Sequence, residues 1–92
     1  MDLSPYGELL GSIAGALTTL SFLPQVIRTW RSGSTRDISL IMFLAFCLGV
    51  ALWILYGVIV GAWSIIIANI ITLLLAGTIL ILKIRNIRRG KE

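Results

Sequence analysis

The sequence predicts an all-α membrane protein, a single bundle of three transmembrane helices, and three observations predict it. Of its residues 58% are apolar and only 13% charged, with a mean hydropathy of +0.99, a balance foreign to soluble domains. Residues 9–27 and 38–82 carry no charge at all. About 20 apolar residues cross roughly 30 Å of hydrocarbon, so the first stretch holds one spanning helix and the second holds two. The chain has 92 residues, which leaves no room for a second core. One domain, 1–92, is expected, with helices at about 6–30, 39–60 and 62–83, a turn at Gly61 and a basic tail at 84–92.

The amino-terminal end carries Asp2 and Glu8 and no basic residue before the first apolar run. A secretory signal starts with positive charge, so the first helix is expected to stay in the mature protein. That helix opens with Gly7, Gly11 and Gly15, spaced four apart on one face. Helices in lipid associate where small residues let backbones approach, so this face is expected to receive another helix. Thr18, Thr19 and Ser21 follow, and hydroxyls at such positions commonly bond back to their own helix. Then comes the Pro24–Gln25 pair. Pro24 has no N–H for the carbonyl of Leu20, and its ring crowds that carbonyl, so a bend or hinge is expected here. In lipid the freed carbonyl needs a partner, which calls for neighbouring helices or a wet cavity.

Residues 31–37 are short, polar and contain Gly33, as a turn between antiparallel helices should be. In the second helix Met42, Phe46, Gly49, Trp53 and Tyr56 recur at alternating spacings of four and three and so form one stripe. A stripe of this kind is either a packing seam between helices or the lining of a pathway. In the second case Met42 and Phe46 stand toward the inner mouth, Gly49 leaves space, Trp53 sits at mid-depth and Tyr56 near the outer mouth. Cys47, the single cysteine, has no partner for an internal disulfide and reads as a small packing residue.

The third helix carries Asn69, whose amide is costly to leave unpaired in hydrocarbon and is therefore expected to face the bundle interior. Trp53 and Asn69 lie eight residues from Gly61 on opposite arms of a helical hairpin. At about 1.5 Å per residue both stand roughly 12 Å below the turn, near the bilayer midplane. An indole and an amide at one depth suit a sugar: the ring covers an apolar C–H face while the amide donates to and accepts from hydroxyls. An interior Asn can also simply tie helices together. Thr72 and Ala76 continue the same small or polar face.

All eight basic residues fall on one side of this three-helix arrangement: Arg28, Arg31 and Arg36 in and beside the first loop, and Lys83, Arg85, Arg88, Arg89 and Lys91 at the end. The positive-inside rule then places the amino terminus outside and the carboxyl terminus in the cytoplasm. The basic end reads as a topology determinant that also touches membrane lipid, and no nucleic-acid partner is expected. No Asp, Glu, Lys, Arg or His falls within the uncharged stretches, so no intramembrane group offers proton coupling or ion binding. No nucleophile–base pair, metal-ligand cluster or phosphate loop is present; an enzyme is not expected, and neither is a cofactor or metal. Three helices cannot enclose a route for a polar solute, so a transporter of this size needs a parallel two-fold partner.

The stretch FLPQVIRTWRSGSTRDISLIMF, followed by Trp53 in the second helix and Asn69 in the third, resembles the SemiSWEETs, the bacterial half-size relatives of the SWEET sugar transporters in the PQ-loop group. The resemblance covers nearly the whole chain. It implies a helix order of 1-3-2 and a parallel homodimer in the inner (plasma) membrane, a uniporter passing a mono- or disaccharide such as glucose or sucrose in either direction by alternating access. Trp53 and Asn69 match the sugar-holding positions, with Leu20 and Gly49 shaping the pocket. Pro24, with Gln25 beside it, matches the hinge. Met42 and Phe46 match the inner gate and Tyr56 the outer gate.

Where several members carry an Arg and an Asp just after the tyrosine, this chain has Val60 and Ala62, so an ionic outer latch is not expected. Two other readings stand beside the sugar carrier. One is a PQ-loop carrier of another solute such as an amino acid, and the other is a non-transporting membrane subunit in which the glycines and Asn69 serve helix packing.

Overall fold

The structure, a computed structural model, describes residues 4–91; Asp2 lies outside them. It consists of α1 (Ser4–Ser32), α2 (Leu40–Val60) and α3 (Trp63–Arg88). All three are long and apolar enough to cross a membrane. Their ends follow from local chemistry. The α1 helix runs unbroken through Pro24 and stops at Gly33, whose φ of 69° suits a residue without Cβ. Ser39 starts α2 by accepting the Met42 N–H through its hydroxyl, and Gly61 (φ 73°, ψ 29°) ends it in the left-handed region.

The third helix extends to Arg88 rather than ending at Lys83, so residues 84–88 are helical and not tail. Nothing between Lys83 and Arg88 breaks a helix. Arg85 and Arg88 in the last turn complement the negative end of its dipole, and Gly90, at φ 71°, follows.

The α3 helix lies between the other two and packs on each, while the α1 and α2 backbones stay apart, which gives the order 1-3-2. The bundle measures 57 × 23 × 15 Å. Three helices side by side at about 9 Å spacing reach roughly that width, so the protomer is a slab broader than it is thick. Small residues set the close approaches. A Cβ on Gly11 would meet Ser64 Oγ at 2.7 Å, and one on Gly15 would meet Ala68 Cβ at 2.6 Å. Gly7 has open space instead. The receiving residues on α3 are Ser64 and Ala68, and Thr72 and Ala76 continue their spacing of four along the helix. On the opposite flank a Cβ on Gly57 would meet Ile66 Cγ1 at 2.9 Å, so this glycine does for α2 what Gly15 does for α1.

Buried apolar residues concentrate in the carboxyl-terminal half of α3, at Ala76, Ile79 and Leu82, with Val26 and Val50 from the flanking helices. Below them the first loop is tied down by polar contacts. Lys83 Nζ donates to the Thr35 carbonyl at 2.9 Å, while Asn86 Nδ2 donates to the Gly33 carbonyl at 3.0 Å and to Thr35 Oγ1 at 3.1 Å. Thr35, Lys83 and Asn86 are all buried, where an unpaired polar group would be costly. At the opposite end Ala62 gives α3 no side-chain cap. Glu8 reaches across from α1 instead, its Oε1 accepting the Ser64 N–H at 2.6 Å, so a carboxylate meets the positive end of the α3 dipole.

Candidate functional site

The helical period that makes Met42, Phe46, Gly49, Trp53 and Tyr56 a stripe also decides where it points, because α2 gives another face, with Val50 and Gly57, to α3. The stripe's bulky members are therefore uncovered in the protomer: Met42 is 73% exposed, Trp53 55% and Tyr56 49%. It is not the α2–α3 seam. Trp53 and Tyr56 meet edge to face, ring centroids 5.5 Å apart and planes at 86°. With Gly49 and Leu52 they line a groove of about 520 Å³. A Cβ on Gly49 would meet nothing within 4 Å, so no helix approach demands glycine there and its smallness leaves the indole face clear.

Toward the first loop, Phe46 packs against Phe22 of α1 at 6.3 Å and against Phe43 at 5.8 Å. Phe22, Met42, Phe43 and Phe46 line a second groove that opens beside Asp37. Leu20 and Pro24 line a third, of about 780 Å³, which runs down α1 to Arg28 and Arg31. Gln25 is exposed beside it, and its backbone carbonyl accepts the Thr29 hydroxyl at 2.8 Å. Of the hydroxyls upstream, Thr18 and Ser21 bond back to Gly15 and Leu17. Thr19 Oγ1 does not, and among the described residues it is the buried side-chain oxygen without a partner. It lines the α1–α3 groove with Leu20, Ser64 and Ala68.

Asn69 is half-buried on α3, with Nδ2 donating to the Ile65 carbonyl at 2.8 Å within its own helix. Thr72 turns to Ala68 at 2.9 Å in the same way. Among the described residues Asn69 makes no hydrogen bond to α1 or α2. The structure gathers Gly49, Trp53 and Tyr56 in one groove, Met42 and Phe46 in a second, and Leu20 and Pro24 in a third; Asn69 does not line the Trp53 groove. A site holding all of them is incomplete in one slab. Sequence reasoning passed over Glu8, Thr35, Lys83 and Asn86, which fix the two ends of the bundle. Lys83 and Asn86 sit in a basic run that reads as tail, and only the apolar spacing of Leu80, Ile84 and Ile87, four and three apart, signals that the helix continues.

Three helices long and apolar enough to cross a membrane, with an aromatic stripe left uncovered on one of them, are the architecture of a multi-pass membrane protein. The chain belongs to the PQ-loop family, within its SemiSWEET branch: the PQ loop repeat pattern matches residues 6–66. It is 46% identical to the sugar transporter SemiSWEET of Bradyrhizobium diazoefficiens over 85% of this chain and 91% of that one. To the sugar transporter SemiSWEET of Leptospira biflexa it is 47% identical, over 84% of this chain and 91% of that one. A crystal structure of SemiSWEET in the inward-open conformation superposes with a TM-score of 0.84 at 40% identity, covering 89% of this chain and 95% of that one.

Proposed function

We propose that this chain is a passive sugar carrier of the inner (plasma) membrane that works as a parallel homodimer, its amino terminus outside and its carboxyl terminus in the cytoplasm. The observation that carries the reading is the exposed stripe of α2, with Trp53 and Tyr56 presenting ring faces and edges beside an open Gly49. A second slab related by a two-fold axis along the membrane normal would close two such stripes over one central cavity.

In that cavity two indoles cover the C–H faces of a mono- or disaccharide such as glucose or sucrose. Two Asn69 amides, each held in place by the bond to Ile65, answer its hydroxyls. Leu20 and Gly49 set the width. Tyr56 closes the outer mouth while Met42 and Phe46 part, and the reverse, as the slabs rock about α1 at Pro24 and Gln25. No titratable side chain lies among residues 38–82 except Cys47 and Tyr56, so the substrate gradient alone drives net movement in either direction. The apolar surfaces that the dimer leaves uncovered contact membrane lipid.

The test is uptake of labelled glucose and sucrose into liposomes without an imposed ion gradient, comparing the parent with Trp53→Ala and Asn69→Ala. Saturable uptake lost in both variants is the expected result. A folded, dimeric parent that takes up neither sugar, or takes up an amino acid only under a pH gradient, would overturn the proposal.

A further inference from the structure

The last turns of α3 present a surface that neither helix packing nor the transport reading uses. Ile81, Ile84, Arg85 and Arg88 recur at spacings of three, one and three, so they share one helix face. With Arg89 they line a groove of about 490 Å³ on the outside of the bundle. Its apolar floor is open: Ile81 is 65% exposed.

Depth divides this groove into two chemistries. Counting about 1.5 Å per residue from the turn at Gly61, α3 has crossed roughly 30 Å of hydrocarbon by about residue 81. Ile81 thus stands at the edge of the acyl region and Arg85 about one turn beyond it, at headgroup level. Trp30 of α1 marks the same level, as indoles do at membrane interfaces, and the Arg85 guanidinium carbon lies 5.8 Å from its ring centroid. That contact holds Arg85 over the groove.

Among the described residues no carboxylate neutralises the charge there. Of the described carboxylates, Glu8 bonds Ser64 at the opposite end and Asp37 lines the groove of Met42 and Phe46. Lys83, although in the same basic run, has its ammonium turned inward to the Thr35 carbonyl. Structure therefore separates one structural cation from three guanidinium groups that meet at one surface.

We propose that Ile81, Ile84, Arg85, Arg88 and Arg89 form a binding site for an anionic phospholipid. An acyl chain would lie on the isoleucines, and the phosphate diester would receive charge-assisted hydrogen bonds from the guanidinium fork. A phospholipid with an uncharged headgroup alcohol, such as phosphatidylglycerol, keeps its net negative charge. The choline of a zwitterionic lipid would add a cation to a cationic groove and is disfavoured. The site rests on the membrane-spanning fold and is independent of which solute is carried.

Native mass spectrometry of the purified protein in detergent, with dioleoyl phosphatidylglycerol and dioleoyl phosphatidylcholine at equal concentration, tests this. The parent is expected to retain phosphatidylglycerol with a preference of at least about tenfold, the scale of one good charge-assisted contact. R85Q/R88Q/R89Q should lose that preference. R88Q/R89Q, which leaves the Arg85–Trp30 contact intact, should lose part of it while eluting as the parent does from a sizing column. R28Q/R31Q, which removes two cations from the α1 groove, should keep it. No preference in the parent, or equal loss in R28Q/R31Q and R85Q/R88Q/R89Q, would overturn the site and reduce the basic end to a determinant of topology.

Discussion

Asn69 and Asn86 are the same side chain on the same helix, 17 residues apart, and they do opposite things. Asn86 is 4% exposed and spends its amide on the first loop, whereas Asn69 turns one N–H to its own helix. Replacing Asn86 by Ala strands the Gly33 carbonyl and Thr35 hydroxyl contacts and should cost about 1–3 kcal/mol. Thermal unfolding in detergent reads this as a lowered midpoint, and an unchanged midpoint would mean that the loop is held by other contacts. Glu8→Ala removes the acceptor from the Ser64 N–H at the other end and should cost about 1 kcal/mol, less because the site is exposed. Of these two, neither was legible in the sequence. Their partners, backbone groups 53 and 56 residues away and the Thr35 hydroxyl, are too distant for any local pattern to announce. Asn69 was legible as an oddity because an amide in a long apolar run is conspicuous; the same residue among arginines is not.

Among the elements, α3 is the one to which the other two are fitted, and its row of Ser64, Ala68, Thr72 and Ala76 explains how three helices bind without much fully buried side chain. The sequence made the glycine row of α1 plain, since a spacing of four is visible without coordinates, but it did not say which glycines matter. The structure separates them: Gly15 stands where a Cβ would fall 2.6 Å from Ala68 Cβ, and Gly7 stands in open space. Gly15→Val should therefore push α1 off α3 and lower stability by about 1–3 kcal/mol, while Gly7→Val leaves the protomer's midpoint in place. If both variants unfold together with the parent, the α1–α3 approach is looser than the backbones indicate. The stripe on α2 was legible as a stripe. Its direction was not, because periodicity groups residues on a face without naming what the face meets, and only the burial of Val50 and Gly57 shows that α3 takes the other side.

At the scale of the whole molecule the 15 Å thickness is the governing dimension. Within so thin a bundle Met42, Trp53 and Tyr56 stay on the surface, so in the dimer proposed above a second copy covers them and transport is a motion of one protomer against the other. What bends within each slab is then the question, and α1 supplies the answer we favour. It is helical from Ser4 to Ser32 without interruption at Pro24, yet Pro24 provides no N–H to the Leu20 carbonyl, and both residues border the open groove on α1. A continuous helix missing one internal hydrogen bond can flex there without unwinding, which is what alternate opening of two mouths requires. Pro24→Ala restores the bond and should stiffen α1. Counterflow of labelled sugar through liposomes is expected to slow several-fold, with the dimer fraction on a sizing column unchanged, because the substitution alters how readily the slabs rock and not the surfaces by which they meet. Flux equal to the parent's at equal dimer fraction would place the bend elsewhere, and flux lost together with the dimer would make Pro24 a packing residue of the interface.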